Sequence, residues 1–154
     1  MKTTTIVWIT VGVLLIALVA GGLWSSSEPL PTTRVAEVEG CKLDQQACET
    51  TLASGVALHF EMGPYPLSTT EPLALTATFS QPGVERVEVL FEGRDMYMGL
   101  LHYRLKPEAD GRTFRGKGSL SICVRRLMEW LAVVRVLQNG EWVEIPFAFE
   151  TLHE

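Results

Sequence analysis

A mainly β body held to a membrane by one N-terminal helix is the fold class this sequence predicts, and three observations carry the prediction. Residues 6–24 form an uncharged apolar run of 19 residues. From residue 55 onward, apolar and polar side chains alternate with a period of two, the pattern of half-buried strands. Proline, glycine, asparagine and aspartate fall between these runs, where turns between short strands belong. The 154 residues, less the apolar run, leave about 130, enough for one domain with a modest core.

Residues 6–24 are long enough to cross a bilayer: at ~1.5 Å rise per residue they span ~28 Å. Trp8 and Trp24 bracket the run as interfacial aromatics do. Lys2 and the amino terminus precede it, whereas Ser25, Ser26, Ser27 and Glu28 follow it, so the positive charge lies on the N-terminal side. That asymmetry predicts a cytoplasmic N-terminus at residues 1–5 and a translocated body. The alternative is a cleaved signal peptide, whose apolar region is usually only ~7–15 residues long. Cleavage after Gly22 leaves Ala20 at the −3 position, whereas cleavage after Ala20 leaves an unsuitable Leu18 there. The stretch SSSEPLPTT (residues 25–33) is extended, solvated linker chemistry. With it, residues 25–40 read as the linker and 41–154 as the periplasmic domain.

The body begins with the least patterned stretch, residues 35–52, which reads as a disulfide-closed loop or a short helix. Strand patterns follow, with core positions at Val56, Leu58, Phe60 and Met62, then Leu73, Leu75, Ala77 and Phe79, then Val87, Val89 and Phe91. Three further runs place Tyr97, Leu101, Tyr103 and Leu105, then Phe114, Leu120, Ile122 and Val124, and finally Val143, Ile145, Phe147 and Phe149. Residues 130–137 are apolar at almost every position and read as a central strand opened by a core tryptophan, Trp130. Residues 125–129 read as a single helical turn. Asn139-Gly140 between two strands is a two-residue hairpin signal. Pro146 lacks an N–H and predicts that the last strand lies at an edge. Seven short strands separated by turns predict an antiparallel immunoglobulin-like β-sandwich.

Three cysteines lie in a compartment inferred to be oxidising. Cys41 and Cys48 in GCKLDQQAC are close enough in sequence for a local disulfide that staples a segment with little core of its own. Cys123 is left over. It reads as a small buried hydrophobe, as an alternative partner of Cys41 or Cys48, or as a soft metal ligand. Met96 and Met98, two apart, share one face of a strand at ~6.8 Å. Cys123 and Met128 flank the predicted turn at residues 125–129. Thioether and thiolate ligands select Cu(I), so Met96, Met98, Cys123 and Met128 form a candidate copper site, against the plainer reading of methionine as core filler. His102 lies ~13 Å beyond Met98 in an extended chain, too far to share the ion.

The strings FEGRDMYMG (residues 91–99), SICVRRLMEW (121–130) and IPFAFET (145–151) resemble an uncharacterised group of small membrane-anchored bacterial periplasmic proteins. That group is similar to the YtkA-like and FixH-like immunoglobulin-type domains. The resemblance covers residues 41–151. It implies a periplasmic location, an immunoglobulin-type fold, and work near the SCO-type copper-delivery machinery of cytochrome oxidase. It supplies no catalytic residues.

Several function classes are disfavoured. With 47 % hydrophobic and 20 % charged residues the chain is not disordered, and one long apolar run is not a polytopic membrane protein. A formal net charge of −5 argues against nucleic acid as a partner. No nucleophile elbow, P-loop, HExxH helix or CxxC pair is present. Arg104, Lys106, Arg112, Arg115 and Lys117 surround a turn and read as solvated strand faces. The expectation is a single-pass protein of the bacterial inner membrane with its body in the periplasm. It acts as an accessory to a membrane-protein partner, in respiratory complex assembly, and not as an enzyme. The alternative is a Cu(I)-binding protein.

Overall fold

The computed structural model describes residues 29–122 and 125–152; the predicted anchor at 6–24, Cys123 and Val124 lie outside them. Among the described residues no helix is long and apolar enough to cross a membrane. Most of the period-two segments form strands, whereas Tyr97, Leu120 and Ile122, which the alternation places in strands, lie outside them. In chain order the strands are β1 (Thr32–Arg34), β2 (Cys48–Thr51), β3 (Ala57–Gly63), β4 (Leu73–Phe79), β5 (Arg86–Gly93), β6 (Leu101–Pro107), β7 (Thr113–Gly118), β8 (Leu127–Gln138) and β9 (Glu141–Leu152).

They join into one nine-stranded sheet in the order β1-β9-β8-β5-β6-β7-β4-β3-β2. β6 is where the sheet changes direction. Its Leu101 to Leu105 pair with β5, and only Lys106 and Pro107 pair with β7. The two halves therefore curl until inner faces meet: the Phe60 ring of β3 lies 5.7 Å from the Phe147 ring of β9. The sequence pattern predicts two packed sheets; the hydrogen bonding is instead continuous through β6, an open curled sheet. The inward parity is as expected, with Leu58, Phe60, Met62, Leu75, Phe79, Val89, Phe91, Val134, Ile145 and Phe147 all buried.

β8 is central, flanked by β9 and β5 along nearly its whole length. Trp130 is fully buried, stacks on Phe149 at 6.1 Å, and donates its indole N–H to Thr151 Oγ1 at 2.9 Å. Residues 127–129 are not a helical turn. They open β8, because Leu127 and Met128 pair with Leu152 and Thr151 and so prolong the β8–β9 hairpin. Asn139 (φ 54°) and Gly140 (φ 74°) both take the left-handed conformation that a tight hairpin of this twist needs. β9 is not the edge strand that Pro146 predicts but the second in the sheet; the Pro146 backbone is turned away from β8, with Val38 N–H donating to its carbonyl at 3.0 Å, so the β8 ladder loses no donor.

β1 falls in the stretch read from sequence as linker and pairs parallel with β9, Thr32 opposite Trp142. The chain then follows β9 as a strap, with Val35, Val38 and Leu43 N–H groups donating to the carbonyls of Glu144, Pro146 and Ala148. It crosses from the β9 edge to β2 at the other edge, bridging the open side of the curl. The Cys41–Cys48 disulfide, Cα atoms 5.8 Å apart, and the fully buried Leu43 lock this crossing. On the outer face a row of alternating charge runs across five strands: Arg104, Glu88, Arg135, Glu144 and Arg34. Glu88 is only 5 % exposed and also meets His102 Nε2 at 2.9 Å, so its charge is partnered on three sides. Arg135 stacks 4.7 Å over Trp142.

Candidate functional site

The candidate site forms where β5 ends. Gly93 pairs with Trp130, and Arg94 N–H donates to the Glu129 carbonyl at 3.0 Å. The chain then leaves the sheet for seven residues before β6. Met96 and Met98 therefore lie in a loop and do not share the face of a strand as the alternation predicts. The interruption has local causes. Gly99 takes φ 87°, outside extended geometry. Arg94 is held by both carboxylate oxygens of Glu37 at 2.8 Å and by Glu129 at 3.4 Å, and the Glu37 hydrogen bonds raise its guanidinium pKa.

The loop nonetheless brings the Met98 and Met128 side chains to Gly93, where Met96 is present through its backbone carbonyl. A Cβ at Gly93 would collide with the Met96 carbonyl oxygen and come within 2.7 Å of Met128 Cε and 2.9 Å of Met98 Cγ. Only glycine leaves room for this convergence. Met128 is 3 % exposed, and Met96 and Met98 are half-buried against the core. The fourth residue, Cys123, lies outside the described residues. Its sequence neighbours Ser121 and Arg125 are tied to the loop: Ser121 Oγ donates to the Met98 carbonyl at 3.1 Å, and Arg125 meets Asp95 at 3.5 Å.

The loop walls a cavity of about 550 Å³ lined by residues 90–101, within the size range of small ligand sites. Its rim is apolar and open. Tyr97 is 87 % exposed and Leu100 78 %. Ile122, Leu127 and Leu152, also exposed, stand at the same end of the sheet, with Tyr65 of the β3–β4 connection. A second concavity of about 430 Å³ lies there too, lined by Pro66, Leu67, Leu127 and Leu152 among others. The polar candidates are elsewhere. His59 pairs with Glu49 at 3.0 Å on β3 and β2, and His102 with Glu88 on the outer face. Among the described residues no three His, Cys, Asp or Glu side chains gather as a metal-binding group.

The chain matches no known family profile, no curated protein and no solved structure.

Tyr97, Leu100, Ile122, Leu127 and Leu152 were not among the site residues that pattern reading selects. Alternation assigns Tyr97 and Ile122 to the core. The available signal is Gly93 and Gly99 bracketing five residues, which marks a loop in which large apolar side chains have no core to enter.

Proposed function

We propose that this protein is a membrane-tethered periplasmic accessory protein that binds a partner through the end of the sheet bearing the 94–100 loop. One observation carries the proposal: of the eight large apolar side chains exposed among the described residues, six stand at this end, where Tyr97 and Leu100 line one cavity and Leu127 and Leu152 line a second. Exposed apolar side chains gathered at one end of a domain mark an interaction site. The apolar run at residues 6–24 and the charge asymmetry around it support the anchor and a periplasmic body. The immunoglobulin-type resemblance supports work beside respiratory complexes in the inner membrane. The curled β body is compatible with that fold type. Alkaline extraction and protease treatment of spheroplasts test the location. The chain is expected to resist extraction while its body is digested from outside. A chain released by extraction, or protected from protease, overturns the reading.

A second reading has its own observation, the meeting of Met98 and Met128 at Gly93 beside Met96. Neutral thioethers are suited to Cu(I) and to little else among common ions. Anaerobic titration against a chromogenic Cu(I) chelator tests it. A single site weakened at least tenfold by Met98→Leu with Met128→Leu supports copper binding. Competition no stronger than that of the doubly substituted chain removes it.

A further inference from the structure

The strap that bridges the open side of the curl is also fastened to the candidate site. Residues 35–47 contain no strand. Besides the three N–H groups that donate to β9 carbonyls, Lys42 Nζ lies 3.2 Å from Glu150 Oε1, and Asp44 Oδ1 accepts from the Glu150 N–H at 3.3 Å. The Cys41–Cys48 disulfide closes the strap onto the first residue of β2, a four-residue strand at the sheet edge. Leu43, fully buried, lies inside the closed turn. A cross-link restricts most strongly a segment that has few other contacts.

Glu37, four residues before Cys41, reaches from the strap to the loop. Both of its carboxylate oxygens accept from Arg94 Nη2 at 2.8 Å. Arg94 opens the 94–100 loop and follows Gly93, against which Met98 and Met128 pack. Glu129 fastens Arg94 to β8, whereas Glu37 fastens it to the strap. Both members of the Glu37–Arg94 pair are partly exposed, and an exposed pair contributes little by itself. It persists where the backbone already holds one partner in place, so the order of the strap governs it. The two sulfurs of the bridge are unequal. Cys48 is buried and Cys41 only half-buried, so a thiol arriving from solvent meets Cys41 first.

We propose that the Cys41–Cys48 bridge is a redox latch on the candidate site: its reduction by a dithiol frees the strap, withdraws Glu37 from Arg94 and lets the 94–100 loop lift from Gly93. A thiolate of the reductant attacks Cys41 Sγ, and Cys48 leaves as a thiolate that takes up a proton. The second thiol of the reductant loses its proton, attacks its partner sulfur in the mixed disulfide and releases Cys41, which is protonated in turn. Two electrons and two protons pass to the cysteines, and the reductant becomes a disulfide. The latch acts on the loop whatever the loop binds, and it requires no membrane anchor.

Peroxide oxidation of Met128, followed by mass spectrometry of the full chain in detergent micelles, tests this. Met128 is buried beside Met98 at Gly93, and Met62, equally buried on β3, is the reference for the rest of the core. Cys41→Ser with Cys48→Ser stands in for the reduced chain, because peroxide would restore the bridge. Met128 should then oxidise about tenfold faster, with Met62 unchanged, as local opening of the loop requires. Glu37→Gln with the bridge intact should give the same acceleration, and adding the two serines to it should give no more. Dithiothreitol followed by alkylation should label Cys41 and Cys48 in the folded parent. An unchanged Met128 rate in the serine pair, equal acceleration of Met62, a full serine effect in the Glu37→Gln background, or a bridge that resists dithiothreitol overturns the latch.

Discussion

Adding one methyl group at Gly93 tests how the candidate site is built. Its backbone is not in the left-handed region, so alanine is tolerated by φ and the effect of Gly93→Ala is purely steric. The new Cβ would collide with the Met96 carbonyl oxygen and lie 2.7 Å from Met128 Cε and 2.9 Å from Met98 Cγ. The two methionine side chains are flexible and can give way. The carbonyl is backbone, so the 94–100 loop itself must lift from the end of β5. Overpacking of this kind costs about 1–3 kcal/mol. A body of about 120 residues has an unfolding entropy of about 0.25 kcal/mol/K, so the melting temperature should fall by roughly 4–12 °C. Gly63→Ala is the matched control: it too ends a strand, has no positive φ, and nothing stands within 4 Å of its Cβ. Thermal unfolding followed by near-UV circular dichroism should leave Gly63→Ala within about 0.5 kcal/mol of the parent. Equal melting temperatures for the two variants would refute the packing of the Met96 carbonyl and the Met98 and Met128 side chains on Gly93.

Three further outcomes follow from the rest of the fold. Thr151→Val leaves the buried Trp130 indole N–H without its acceptor and should lower stability by about 1–3 kcal/mol in denaturant titration, with Thr151→Ser retaining most of it; a valine variant as stable as the serine variant contradicts the bond. Replacing Cys41 and Cys48 together by serine removes an eight-residue closure worth about 2.5 kcal/mol on loop entropy. The same replacement should raise amide exchange in the strap from Val35 to Leu43, and unchanged exchange there would show that the strap holds without the disulfide. Asp110 accepts hydrogen bonds from Thr113 Oγ1 and from the N–H groups of Arg112 and Thr113, which lower its pKa to about 2. Because the folded pKa lies below the ordinary value, its contribution is present above about pH 4 and is lost as pH falls toward 2. Asp110→Asn should flatten stability between those pH values, and a carboxyl titration at the ordinary midpoint would rule this out.

Much of the strand plan was legible because period two survives wherever one face is buried. The β3, β4, β5 and β9 core residues, the central β8, the Asn139-Gly140 turn and the Cys41–Cys48 bridge can all be read in the sequence. β1 escaped because its three residues are all exposed and pair with an edge, leaving no alternation to detect. The strap escaped because its order comes from the carbonyls of β9 and from one disulfide, both distant in sequence. The methionine pair lies in a loop and not on the face of a strand. Gly93 and Gly99 end the strand, and Met128 is brought in by the length of the β8–β9 hairpin, which no local pattern encodes. That the curl is continuous through β6 rests on Lys106 and Pro107 pairing with β7, a tertiary detail with no sequence mark.

The most direct test of a membrane-tethered body whose apolar end is left to a partner is the distance of that end from the bilayer, compared with that of exposed Gln81 at the end where the Pro31 carbonyl meets Trp142. With Cys123 replaced by serine, a fluorophore is attached at Tyr97→Cys or at Gln81→Cys in the full chain. Each labelled chain is reconstituted into phosphatidylcholine vesicles carrying a headgroup nitroxide lipid. Emission from position 81 should be quenched, and that from position 97 should keep its intensity. Quenching at position 97 equal to or greater than that at position 81 would place the apolar end against the bilayer and contradict the arrangement.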